Sequence, residues 1–221
     1  MEFKNGAYFI SGIDTDCGKT YVTGRLAAYL RHRGVSVITQ KPVQTGCETV
    51  ADDLVEHRKA MGCGMLPEDR EGRTCSYLFH KNVSPGLAAS LENKTIDIRK
   101  IDDDTAYLLS RYSVVLVEGD GGLMVPLADG CLTIDYVAER SMPLVLVATS
   151  KIGSINHALL SIEVCKQRGV NMQVLVFDRL PQYEQAVADY AFDQIVKYAK
   201  TSYPDVKIVD FRSSDSFWGK I

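Results

Sequence analysis

Lys19 and Thr20 close the run Gly12-Ile13-Asp14-Thr15-Asp16-Cys17-Gly18-Lys19-Thr20, which stands between an apolar stretch and an amphipathic one. Glycines, a lysine and a small hydroxyl in this order describe a phosphate clamp. Backbone amides cradle the anion, Lys19 reaches the terminal phosphates and the Thr20 hydroxyl ligates magnesium. The strict G-x-x-x-x-G-K-[ST] spacing would need glycine at position 13, where the chain has Ile13; its two glycines are five residues apart. Cys17 lies inside the loop, either with a thiol acidified by the helix N-terminus or as a small space-filling residue.

Three further places carry chemistry. Lys41 precedes Pro42, which stiffens the turn and can bring a second cation to a phosphate or carboxylate; a surface lysine is the plain alternative. Asp52 and Asp53 open a helix, where carboxylates also complement the macrodipole. Glu118 ends the most apolar strand, where an unpaired carboxylate is costly, so a metal or a lysine partner is expected. Gly119, Gly121 and Gly122 follow it and permit close backbone approach to a ligand. Together these residues describe a magnesium–nucleotide site made of Lys19 on phosphate, with Thr20, one aspartate at 52 or 53, and Glu118 around the metal.

The elements that must position them alternate. Apolar, β-branched runs at 8–10, 35–40, 113–117, 143–148, 170–177 and 206–211 read as strands. Segments 21–33, 52–61, 85–91, 97–111, 153–168 and 182–200 read as helices. Near-continuous apolar strands separated by helices predict a single α/β domain over 1–221, with a mostly parallel sheet covered by helices on both faces. Ligands of such sheets sit beyond the carboxyl ends of the strands, so the 12–20 loop, Lys41, Glu118 and Gly153 are expected to converge on one cleft.

Composition narrows the partners. The chain has 221 residues, 46% hydrophobic, with 25 Lys plus Arg against 28 Asp plus Glu and a net charge of −3. No basic excess points to nucleic acid. No signal peptide or 18-residue apolar run is present, so a cytoplasmic protein without membrane partners is expected. Six cysteines contain no C-x-x-C pair and are expected to be reduced thiols.

Over about residues 8 to 190 the chain resembles the dethiobiotin synthetase family. The motifs that carry the resemblance are the 12–20 loop with its five-residue gap, Lys41-Pro42-Val43-Gln44-Thr45-Gly46, Tyr77-Leu78-Phe79 with Ser84-Pro85, Glu118-Gly119-Asp120-Gly121-Gly122, and Gly153-Ser154-Ile155-Asn156-His157-Ala158. The resemblance implies a P-loop NTPase-like fold and ATP-dependent closure of the ureido ring on 7,8-diaminononanoate with carbon dioxide, giving dethiobiotin, ADP and phosphate. A carbamate forms first, then a carbamic–phosphoric anhydride, which the second amine opens. It implies catalytic roles for Lys19 and Lys41 on the transferred phosphoryl group. Asp14, Thr15, Asp16, Cys17, Gly18, Lys19, Thr20, Glu118 and Asp178 would line the nucleotide. Thr15, Lys41, Thr45, Gly121, Gly153, Ser154, Asn156 and Tyr190 would meet the diamine. Magnesium would fall to Thr20, Asp52 and Glu118, with Asp53 as fallback. The family is homodimeric with sites at the interface, the amides around 153–156 trapping the partner's substrate carboxylate. Tyr190 would donate its hydroxyl there, or else fill the buried face of its helix.

Two departures touch the base. Asp178 stands where the family has asparagine reading the adenine edge, and a carboxylate accepts hydrogen bonds without donating. That suits guanine or the cytosine amino group, so GTP or CTP is expected to compete with ATP. Residues 210–214 lack the Gly-x-x-Pro pattern after the last strand. Gly86 and Asp120 replace the family's usual residues at positions outside the expected catalysis. Competing readings are an amidoligase, a partition-type ATPase, whose extra loop lysine is here Asp14, and a nucleotide switch, which would leave Lys41 and 153–156 without a purpose.

Overall fold

The computed structural model describes residues 3–179 and 184–211. In chain order the elements are β1 (Gly6–Gly12), α1 (Lys19–His32), β2 (Val37–Gln40), β3 (Val43–Thr45), α2 (Asp52–Ala60), α3 (Pro67–Arg70), β4 (Tyr77–Phe79), α4 (Pro85–Leu91), α5 (Ile98–Leu109), β5 (Val114–Gly122), β6 (Pro126–Ala128), β7 (Cys131–Leu132), α6 (Thr133–Glu139), β8 (Leu144–Thr149), α7 (Ser154–Gln167), β9 (Met172–Asp178), α8 (Gln185–Ser202) and β10 (Lys207–Phe211).

Six strands form one sheet in the order β10-β9-β8-β1-β5-β2, and every neighbouring pair is parallel. The reason lies in the sequence. Val114 to Val117 of β5 and Leu144 to Ala148 of β8 are wholly buried, as strands covered on both faces must be. The chain leaves β1 toward β2 at one edge, and later leaves β8 in the opposite direction, through β9 to β10 at the other edge. Right-handed crossovers in opposite directions set α1 and α7 on opposite faces. The order therefore reverses at β1, and the crevice beyond its carboxyl end is where an α/β sheet takes its ligand.

The β1–β5 register runs evenly from Gly6 opposite Val114 to Ile10 opposite Glu118, then jumps so that Gly12 faces Gly122. Extra residues of β5 bulge out just past Glu118, bending the strand end toward the phosphate loop.

The structure extends the expected 8–10 strand to Gly6–Gly12 and starts the first helix at Lys19. It also adds α3, α6 and two small sheets: β3 pairs in parallel with β4, and β6 antiparallel with β7. Residues 182–183 of the expected last helix and 212–214 of the divergent C-terminal stretch lie outside the described residues.

Helices α1 and α2 approach closely at Gly24. A Cβ there would stand 2.9 Å from Ala60 Cβ and 3.3 Å from His57 Cα, so only glycine fits without displacement.

Candidate active site

The loop after β1 folds tightly on itself. A Cβ on Gly12 would collide with Cys17 Sγ and come within 3.1 Å of Lys19 Nζ. Cys17 is buried under that glycine, in keeping with the space-filling reading. Asp16 takes a left-handed backbone (φ 54), as does Gly18 (φ 91), the residue before α1. No side chain caps this helix start and its first turn carries no acidic residue, so its macrodipole is left to an anion. Lys19 Nζ donates to the Asp14 carbonyl at 2.9 Å across the loop. The Asp14 carboxylate lies 3.5 Å from His157 Nδ1 on α7.

The end of β2, the start of α2 and the middle of β5, where the expected strand end at Glu118 is overrun to Gly122, deliver the charged groups beside Thr20. The Thr20 hydroxyl is 3.0 Å from Asp53 Oδ1 and 3.0 Å from Glu118 Oε1. Lys41 Nζ is 2.7 Å from Asp53 Oδ2 and 3.3 Å from Glu118 Oε1, donates to the Gly119 carbonyl at 3.1 Å, and stands 4.0 Å from Asp120. The Lys41 backbone amide is fixed to the Thr74 carbonyl at 2.8 Å. Lys41 and Glu118 are both buried, which excludes the surface-lysine reading.

Electrostatics follow from this packing. Burial pulls the Lys41 ammonium down, but Glu118, Asp53 and Asp120 outweigh it and raise its pKa. Burial pushes the Glu118 carboxyl up, but the Lys41 charge and the hydrogen bond from His57 overcome that and hold it well below the usual carboxylate range. Asp53 and Glu118 against one ammonium leave an excess negative charge, with Asp120 at the margin. Hard oxygen ligands with excess negative charge are what magnesium takes beside phosphates. Among the described residues no three His, Cys, Asp or Glu side chains are grouped to hold a metal alone.

The aspartate in this cluster is Asp53. Asp52 is exposed on the outer side of α2 and meets neither Thr20 nor Lys41. Asp53 faces inward because its backbone amide donates to Gln44 Oε1 at 3.4 Å, tying the start of α2 to β3. One turn further along α2, His57 is wholly buried, with Nε2 2.9 Å from Glu118 Oε2 and Nδ1 3.1 Å from Thr39 Oγ1. Sequence reading passed over His57. Its available signal was its spacing of four from Asp53, which places both on one helix face.

The remaining expected residues are distributed around this centre. Thr15, exposed in the loop, has its hydroxyl 3.6 Å from where a Gly121 Cβ would stand, so the loop and the β5 bulge meet there. Thr45 is half-buried in β3, paired with Phe79 of β4. Gly153 (φ 97) precedes α7, with Ser154 buried and Asn156 exposed. Tyr190 is 62% exposed, which corrects the alternative that it fills a buried helix face. Asp178 ends β9, is buried, and lays its carboxylate against Gly18, where a Cβ would collide with it. A cavity of about 550 Å³ opens beside the loop between Asp14, Met124, Val125, His157, Leu160 and Val164.

A family model described as "AAA domain" matches residues 6–206. ATP-dependent dethiobiotin synthetase BioD 2 of Haemophilus influenzae is 48% identical over 176 residues, covering 80% of this chain and 92% of that protein. ATP-dependent dethiobiotin synthetase BioD of Chlorobaculum tepidum is 43% identical over 212 residues, 96% of this chain and 89% of that protein. Among solved structures, the hydrogenase maturation factor HypB of Archaeoglobus fulgidus superposes with a TM-score of 0.53 at 13% identity, covering 94% of this chain and 81% of that one. The MinC:MinD cell division complex of Aquifex aeolicus gives 0.55 at 13% identity, covering 95% and 82%. At that identity the two structures show the fold alone.

Proposed function

The chain belongs to the ATP-dependent dethiobiotin synthetase family, and on that premise we propose how its residues divide the reaction. It is a carbon–nitrogen ligase of biotin biosynthesis that makes dethiobiotin from 7,8-diaminononanoate, carbon dioxide and ATP.

One amine of the diamine takes up carbon dioxide, losing a proton, to give a carbamate. A carbamate oxygen attacks the γ-phosphorus of ATP and ADP leaves. The second amine then attacks the carbonyl of the mixed anhydride, losing a proton, and phosphate departs with the carbonyl–oxygen bond as the ring closes. Lys19 and Lys41 supply fixed positive charge to the transferred phosphoryl oxygens. Thr20, Asp53 and Glu118 would hold magnesium with the nucleotide's phosphates, and that ion would neutralise charge on the bridging oxygens. Asp14 to Gly18 surround the phosphates, while Thr15, Thr45 and Gly121 face the diamine. The observation that carries this reading is the buried Lys41 held on Asp53 and Glu118 beside Thr20.

The enzyme works as a homodimer with sites at the interface. Support comes from the apolar side chains exposed around the start of α7, Ile152 at 77%, Leu160 at 62% and Met124 at 53%. Gly153, Ser154 and Asn156 would trap the carboxylate of the partner's diamine, with exposed Tyr190 as a hydroxyl donor. All 221 residues act as one domain, in the cytoplasm. Six free cysteines support that compartment, and among the described residues no helix is long and apolar enough to cross a membrane. Asp178 governs the choice of base, so GTP or CTP competes with ATP.

Incubation with the diamine, bicarbonate, magnesium and each triphosphate in turn, followed by mass spectrometry, tests the reaction. Ring-closed product supports it; nucleotide hydrolysis indifferent to diamine and bicarbonate would defeat it.

A further inference from the structure

The reaction as written gives no task to a histidine, yet His57 sits wholly buried against Glu118. Behind it lies a continuous run of buried polar contacts. Arg58, also buried, makes a paired contact to Asp69, with Nε to Oδ2 at 2.8 Å and Nη2 to Oδ1 at 2.7 Å. The Thr74 hydroxyl donates to the same Asp69 at 2.7 Å. Arg58 Nη1 donates to Thr39 Oγ1 at 2.7 Å, and Nη2 to the Thr39 carbonyl at 3.3 Å. A guanidinium can only donate, so Thr39 Oγ1 accepts there and keeps one hydrogen to give. The His57 Nδ1 lone pair, 3.1 Å away, receives it, which leaves the ring proton on Nε2, 2.9 Å from Glu118 Oε2. Arg58 Nη1, the Thr39 hydroxyl and His57 Nε2 then donate in series toward the Glu118 carboxylate.

We propose that His57, set as the Nε2–H tautomer by Thr39, is a positioning residue that pins Glu118 Oε2 and so turns Oε1 toward Thr20 and Lys41. This rests on reading Glu118 as a carboxylate of the magnesium site. Any buried imidazole needs a partner for each ring nitrogen, and here one of the two is a carboxylate beside Thr20 and Lys41. The ring is supported through Thr39 by a buried ion pair whose desolvation is costly, and the cost is met by a fully connected network. Residues that hold a ligand's second atom commonly change metal affinity or activity about 10–100-fold when removed.

Mn2+ titrated into the enzyme–ADP complex, with free ion followed by its electron paramagnetic resonance signal, gives a readout independent of turnover. His57→Leu should weaken Mn2+ binding about 10–100-fold and raise the magnesium needed for half-maximal rate by the same factor, with the KM for diamine unchanged. His57→Gln puts an amide donor in place of Nε2–H and should restore most of the affinity. Long-range 1H–15N spectra of the wild-type protein, free of metal and nucleotide, should show His57 protonated at Nε2. An Nδ1–H tautomer, or a ring protonated at both nitrogens, would overturn the proposal whether or not the variants fold. Glu118→Gln separates the two readings. If it leaves Mn2+ affinity unchanged, the metal role of Glu118 fails; if it weakens binding while a folded His57→Leu does not, only the role of His57 falls.

Discussion

The Lys41 ammonium lies 2.7 Å from the Asp53 carboxylate, closer than to any other charged group. Asp53 and Glu118 share that one ammonium and keep an excess of negative charge, which a divalent cation entering with nucleotide would offset.

Removing that ammonium should separate binding from chemistry. Lys41→Ala is expected to keep ATP affinity within a few-fold by calorimetry while ring closure falls about 100–1,000-fold. It also leaves Glu118 buried without its cation. Melting without ligand should drop by about 3–5 kcal/mol of stability, and magnesium–ATP should recover part of it. Retained ring closure would return Lys41 to a packing role.

Asp53 and Asp52 are neighbours with opposite fates. Asp53→Asn should raise the magnesium concentration for half-maximal activity at least about tenfold, whereas Asp52→Asn should leave the activation curve unchanged. The reverse result in magnesium titrations would move the metal site to Asp52.

Asp178 can be tested without disturbing its place against Gly18, because asparagine has the same shape. Asp178→Asn should shift kcat/KM toward ATP and away from GTP and CTP by up to about tenfold, the worth of one hydrogen bond. A strong ATP preference in the wild type that Asp178→Asn does not alter would sink the assignment.

The Arg58–Asp69 pair gives a pH signature. Burial alone would raise the Asp69 carboxyl, but hydrogen bonds and charge from Arg58 outweigh it and lower its pKa. A carboxyl whose pKa is lower in the folded chain contributes stability that is fully present above its unfolded value, about 4. That contribution is lost as pH falls through the folded value. Asp69→Asn should cost about 3–5 kcal/mol at neutral pH, since it strands a buried guanidinium. It should also flatten the acid limb of a urea-denaturation series.

Lys41, read alone, kept a surface-lysine alternative that only its burial removes. Glu118 was legible because it follows an unbroken apolar run, where a charge needs a reason, although β5 continues past it to Gly122. The strand and helix alternation was legible for the same cause: buried parallel strands leave unbroken apolar runs. The choice between Asp52 and Asp53 was not, because both open the same helix and only the tie from Gln44 turns one of them inward. His57 carries no motif; its meaning comes from Thr39 and Arg58, which contact it only after folding. Three-residue strands such as β3 and β4 are too short for any periodicity, and they form through pairing that the sequence order does not announce.

Gly24 lies one turn beyond Thr20 on α1 and directly over His57 and Ala60 of α2. The absent methyl is in effect a spacer of zero thickness between the helix that carries Thr20 and the helix that carries Asp53. Alanine at 24 would wedge them apart and stretch the Thr20–Asp53 contact without altering any group that meets nucleotide or diamine. The distance between Thr20 and Asp53 is thus set from outside the cleft, by the thickness of one side chain at a helix crossing.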